Sequence, residues 1–172
     1  MSPSSSSGLA RVPRHRPATH RCGVPLAAAT LVLATVSCSI TEPTSRDRAQ
    51  DELTRNRQRW VAAGIHDYAY DYQRLCFCAP ESTQPVRITV RQDAVVAVVR
   101  QSDGQPVDAK YGWPRIDALF DDIQGRLDQH VARIDVDYDA TYGYPRSIVV
   151  DVAAMAADDE YSHTTANLRP LP

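Results

Sequence analysis

The clearest helical periodicity in the chain lies at Ile116, Leu119, Phe120, Ile123 and Leu127, which recur at i, i+3, i+4, i+7 and i+11. That spacing places all five on one face of a 3.6-residue turn and predicts an amphipathic helix packed on a sheet, with Pro114 suited to its first position. A narrower stripe of Ala49, Leu53 and Trp60 predicts an earlier helix. Thr44 and Asp47 supply its S/T-x-x-D/E start signal and Gly64 its stop. Arg46, Arg48, Arg55, Arg57 and Arg59 occupy its other faces, as on a solvated surface, and Trp60 serves as a core anchor.

Elsewhere the period is two. From Tyr68 to Cys78 an extended chain puts Tyr68, Tyr70, Tyr72, Arg74, Cys76 and Cys78 on one face, with Ala69, Asp71, Gln73, Leu75 and Phe77 on the other. Val86, Ile88 and Val90 alternate with Arg87, Thr89 and Arg91, a half-buried strand. Gln92-Asp93 then turns the chain into Ala94 to Val99, whose five successive apolar residues after Ala94 predict a central strand covered on both faces. Gln101 to Trp113, holding Gly104, Pro106 and Gly112, reads as a long loop. Ile134, Val136 and Tyr138 alternate before the turn Asp139 to Pro145, and Ile148, Val150 and Val152 after it, giving a second hairpin. Tyr161 to Leu168 supplies a last strand, while Ala153 to Ala157 suits a helical turn equally well. The order α-β-β-β-α-β-β(-β), with hairpins between helices, predicts an α+β fold class: an antiparallel β-sheet with two helices packed on it. A helix precedes a Tyr/Asp-rich strand in each half (Asp67 to Tyr72, Asp135 to Tyr138), which raises a decayed repeat, although such short patterns arise cheaply.

Charge changes this picture at the N-terminus. Of nineteen basic residues, four (Arg11, Arg14, Arg16 and Arg21) precede residue 22, and no acidic residue precedes Glu42. Beyond Cys38, fifteen basic residues face twenty-one acidic ones, a net of −6 that offers no basic stripe and argues against nucleic acid as a partner. The basic start followed by the apolar run Gly23 to Val36 has the layout of a secretory signal. The run is shorter than the roughly 20 residues a membrane span needs and contains Pro25, so it predicts export rather than a span.

At its end, Ala34-Thr35-Val36-Ser37-Cys38 resembles the lipobox of bacterial lipoproteins, which implies lipidation of Cys38, although Thr35 stands where an aliphatic residue is usual. Ordinary cleavage near Ser37, leaving Cys38 a thiol, is the alternative. Residues 1–38 therefore read as a signal peptide of lipoprotein type, 39–45 as a tether and 46–169 as a single domain. The expected location is the outer face of a cell or outer membrane, facing periplasm or exterior. The membrane is then an expected partner, reached through the lipid anchor, and the sequence names no protein or small-molecule partner.

With Cys22 removed and Cys38 lipidated, Cys76 and Cys78 remain, and exported cysteines usually pair. Cα atoms two residues apart in a strand lie about 6.5–7 Å apart, at the edge of disulfide geometry, so a bond predicts that the strand ends or bends at Phe77. A free pair or two metal ligands are the other readings. Asp135, Asp137, Asp139 and Asp151 with Asp158, Asp159 and Glu160 are oxygen-rich. Asp137, Asp139 and Asp151 are weak calcium candidates, but the spacing is not that of an EF-hand and solvated turns explain it. Tyr68, Tyr70, Tyr72, Tyr142 and Tyr144 are candidates for a glycan- or peptide-binding surface, with packing as the plainer account. His66, His130 and His163 stand far apart without a neighbouring nucleophile, so no catalytic residue and no cofactor is assigned.

Arg59-Trp60, Gly64 to Tyr68, Cys76-Phe77-Cys78, Ile116 to Phe120, Tyr138-Asp139, Tyr142 to Pro145, Asp151 and Asp158 to Glu160 together make the chain, from Arg59 to Leu168, resemble a bacterial family of uncharacterised exported proteins and lipoproteins, the domain of unknown function 6174. That resemblance implies the domain boundaries and export, and no activity. The expectation is a lipid-anchored binding or structural accessory domain. The alternative is a redox-active or metal-dependent enzyme using the Cys76/Cys78 pair or the acidic cluster.

Overall fold

A computed structural model describes residues 44–156 and 158–172. The expected signal segment 1–38, its Cys38 lipidation site and residues 39–43 of the tether lie outside the described residues. Among those described, no helix is long and apolar enough to cross a membrane.

Helix α1 spans Ser45–Ala63, so the last two expected tether residues are its cap and its first residue. The capping box forms: Asp47 N–H donates to Thr44 Oγ1 at 3.2 Å and Thr44 N–H to Asp47 Oδ2 at 2.8 Å. Gly64, at φ +60, closes the helix in the left-handed region. Strand β1 (Tyr68–Cys76) follows, then β2 (Val86–Arg91) and β3 (Ala94–Arg100), joined through Gln92 and Asp93 at φ 49 and 59. Both values belong to the mirror-image turns that match strand twist.

Strand β3 corrects the sequence expectation. It is an edge strand, with Val95 and Val96 38% and 58% exposed, not a central one. A two-residue turn forces it onto β2's free side, and among the described residues nothing pairs beyond it except Pro106, which bridges to Val99. Helix α2 spans Ile116–Asp128 with its five-residue apolar stripe buried. Its cap is Arg115, so Pro114 lies before the helix rather than at its first position.

The chain returns through β4 (Arg133–Tyr138), β5 (Pro145–Asp151) and β6 (Tyr161–Pro170). Val152 lies past the end of β5, and the segment after it makes a turn, with Ala156 N–H on Ala153 O, rather than a helix. The six strands form one antiparallel sheet in the order β3-β2-β1-β6-β5-β4, so the fold is α+β as the pattern predicts. The element order does run α-β-β-β twice. Yet β1 is central and β4 is an edge, so the two Tyr/Asp-rich strands are not equivalent.

One face of the sheet carries Tyr68, Tyr70, Tyr72, Ile88, Ile148 and Val150 into a single core with Trp60 and the α2 stripe. The opposite face carries the pair Asp71–Arg87 at 2.7 Å, with Asn167 donating to Asp71 at 2.7 Å, together with exposed Leu75 and Val149.

Candidate functional site

Period two aims Tyr72, Arg74 and Cys76 of β1 toward α2, and the β1–β6 register sets Arg74 opposite His163 and Cys76 opposite Tyr161. From α2, Asp122 and Arg126 lie four residues apart, one turn, beside the apolar stripe. These groups line a cavity of about 360 Å³ that Pro114, Ala118 and Leu119 complete on the apolar side.

The polar groups form a chain. Arg74 Nε donates to the Tyr72 hydroxyl at 3.3 Å, which lies 2.7 Å from His163 Nδ1. The guanidinium only donates, so the Tyr72 oxygen accepts from Arg74, and its short contact with Nδ1 joins the phenol to the imidazole. Nε2 faces Asp122 Oδ2 at 3.7 Å, and the same carboxylate accepts from Tyr161 Oη at 2.9 Å and from Arg126 Nε at 3.2 Å. The rings follow in the same sequence: Arg74 sits 6.0 Å over Tyr72, Tyr72 stacks on His163 at 5.8 Å, His163 meets Tyr161 edge-on at 5.1 Å, and Arg126 caps Tyr161 at 5.2 Å. A guanidinium closes each end of the band.

Electrostatics follow from that geometry. Burial raises the Asp122 carboxyl, but the imidazole, the Tyr161 hydroxyl and Arg126 outweigh it and hold it below the ordinary carboxylate range. Burial pushes Tyr72 up, and burial with the Asp122 charge pushes Tyr161 up, so neither phenol is an activated nucleophile at neutral pH.

Cys76 and Cys78 are disulfide-bonded at the rim. The strand ends at Cys76, and Cys78 N–H donates to Cys76 O at 2.9 Å around Phe77. That turn brings the Cα atoms to 5.3 Å, inside the disulfide range, and leaves Phe77 85% exposed. The bend anticipated from the spacing is therefore present.

The model of a family of unknown function, DUF6174, matches residues 52–170. The chain belongs to that family. No curated protein and no solved structure matches it. The DUF6174 match begins within α1 and ends with β6, taking in the whole sheet and every residue of the cavity.

Within this DUF6174 domain the other expected site residues do not converge. Tyr68, Tyr70 and Tyr72 are at most 1% exposed and Tyr144 is 6% exposed, so they pack the core and form no exposed glycan- or peptide-binding surface, Tyr72 alone of them also lining the cavity; Tyr142 is half-buried. Packing wins because these rings sit on the helix-covered face of the sheet. Asp151 pairs across from Arg133, four residues along β4 from Asp137, which places the two about 13 Å apart. Asp139 instead accepts from Thr141 and Tyr142 N–H in the β4–β5 turn. Among the described residues no group of three metal-ligating side chains gathers. His66 pairs with Asp93 at the surface, 2.9 Å away, and His130 lies beyond the end of α2.

Of the cavity residues, Tyr72, Arg74 and Cys76 share one face of a strand in the sequence pattern, whereas Tyr161 and His163 stand out there only as strand and isolated histidine, and Asp122 and Arg126 not at all. The signals were present. Asp122 and Arg126 stand at i and i+4 beside the apolar stripe, and Tyr161, His163 and Thr165 alternate along β6, but neither pattern says which strand will lie beneath which helix.

Proposed function

We propose that the chain is an exported domain, held at a membrane by lipid on Cys38, that acts by binding a ligand in the cavity between α2, β1 and β6. It carries no reaction of its own. The observation behind this reading is the state of His163, 9% exposed, with one ring nitrogen taken by Tyr72 and the other turned to Asp122. The phenols beside it are pushed up by burial and are not activated nucleophiles, and a network satisfied internally serves to hold a binding surface rigid. The paired Cys76 and Cys78 suit an oxidising compartment, which supports export.

The test is the intact mass of the full-length protein, purified from membranes without reductant. The expected species begins at Cys38, carries acyl chains and has its remaining cysteines oxidised. A mass that includes residues 1–37, or a mature chain without lipid, overturns the anchor.

A redox role for the cysteine pair is the second reading, favoured by Cys76 lining the cavity. Cys76→Ser and Cys78→Ser separate the two. Weakened folding with no change in a redox readout supports a framework bond, whereas retained fold with lost thiol reactivity supports the redox role.

A further inference from the structure

The chemistry of the cavity walls narrows the ligand, and this step rests on the binding reading above. Two arginines and one carboxylate contribute charge to the cavity: Arg74, Arg126 and Asp122. Asp122 is paired with Arg126, whereas Arg74 has no carboxylate within ion-pair range among the described residues. Arg74 instead donates Nε to the Tyr72 hydroxyl, one terminal nitrogen to Tyr111 O at 3.2 Å and the other to Gly112 O at 3.0 Å. Neutral acceptors orient a guanidinium without neutralising it, and these three bonds leave two of its five N–H groups for another acceptor. Arg126, engaged through Nε and one terminal nitrogen, likewise keeps donors free.

Arg74 thus stands as a guanidinium without a carboxylate partner between the aromatic and aliphatic walls of the cavity. A guanidinium fork matches a carboxylate in two parallel hydrogen bonds. From these observations we propose that the cavity is a binding site for a small organic monocarboxylate. Its carboxylate engages Arg74, and its apolar body lies along Pro114, Ala118 and Leu119. A monoanion balances the unpaired guanidinium of Arg74. A phosphate dianion would leave excess negative charge beside Asp122, and a neutral ligand would leave Arg74 uncompensated.

The experiment is isothermal titration of the full chain with benzoate, benzamide and phenyl phosphate. Benzoate is expected to bind saturably and about tenfold or more tighter than either of the others. Arg74→Gln abolishes that preference, and Arg74→Lys, which keeps the charge but loses the fork, retains part of it. Val96→Thr on the distant edge strand leaves binding unchanged, and circular dichroism checks that each variant folds. Benzamide binding as tightly as benzoate overturns the carboxylate assignment while leaving the cavity a binding site. Tighter binding of phenyl phosphate overturns the monoanion assignment. Absence of binding by all three, with amide resonances around Arg74, Asp122 and His163 unmoved, overturns both the assignment and the binding reading beneath it.

Discussion

Tyr68 shows how a residue identity can be plain in the sequence and its role hidden. Its hydroxyl accepts the Ile116 N–H at 3.0 Å, one of the orphan donors at the start of α2, where Arg115 gives no side-chain cap. Tyr70 adds a second clamp by donating to Pro114 O. Two neighbouring tyrosines of β1 thus fix where α2 begins. Burial pushes the Tyr68 phenol up to about 12, so the contact stays in one protonation state across the neutral range. Tyr68→Phe keeps the ring and strands a buried N–H, and is expected to cost about 1–3 kcal/mol. The check is a lower urea midpoint at unchanged m-value; an unaltered midpoint means that the hydroxyl does not serve as the cap. In the sequence these tyrosines were legible as one face of a strand, but which side the helices would cover was not.

At the scale of elements, local chemistry was the better guide. The start and stop of α1 and the mirror-image turn between β2 and β3 depend on residues within a few positions of each other. The prediction failed at β3, because five apolar residues in succession resemble a covered strand, and only the pairing of β1 with β6 leaves β3 at the margin. The β4–β5 turn illustrates a tertiary constraint laid on a local one. Gly143 adopts φ +78, and a Cβ there would stand 2.5 Å from Asn56 O of α1. Gly104, at φ +70, has open space around it. Both Gly→Ala changes carry the left-handed cost of about 1–2 kcal/mol, and Gly143→Ala adds the collision with α1. Thermal denaturation is therefore expected to show the larger loss at Gly143, and equal losses would mean that α1 yields to the added methyl.

For the molecule as a whole, the antiparallel pairing of β1 with β6 joins the first hairpin to the last strand and creates the cavity under α2. The same assembly links stability to pH through Asp122. Its folded carboxyl sits below its unfolded value of about 3.9, so its contribution is complete above that pH and is lost as pH falls through the folded value. Stability is expected to decline below about pH 4. In Asp122→Asn that limb flattens, and the variant is weaker at neutral pH because Arg126 loses its counter-charge and one neutral amide oxygen replaces the two carboxylate oxygens that Arg126 and Tyr161 used. An acid limb as steep in the variant as in the parent would show that other carboxylates carry it.

The sequence by itself determined the helices, the hairpins, the α+β class and the bend at Phe77, since each follows from periodicity, capping or backbone reach over short separations. The tertiary structure alone decided that β3 is an edge, that the tyrosines of β1 are interior, and that Asp122, Arg126, Tyr161 and His163 meet Arg74. Those facts depend on which strand lies beside β1 and which face α2 covers. Residues some ninety positions apart, Tyr72 and His163 among them, become neighbours only through that long-range pairing.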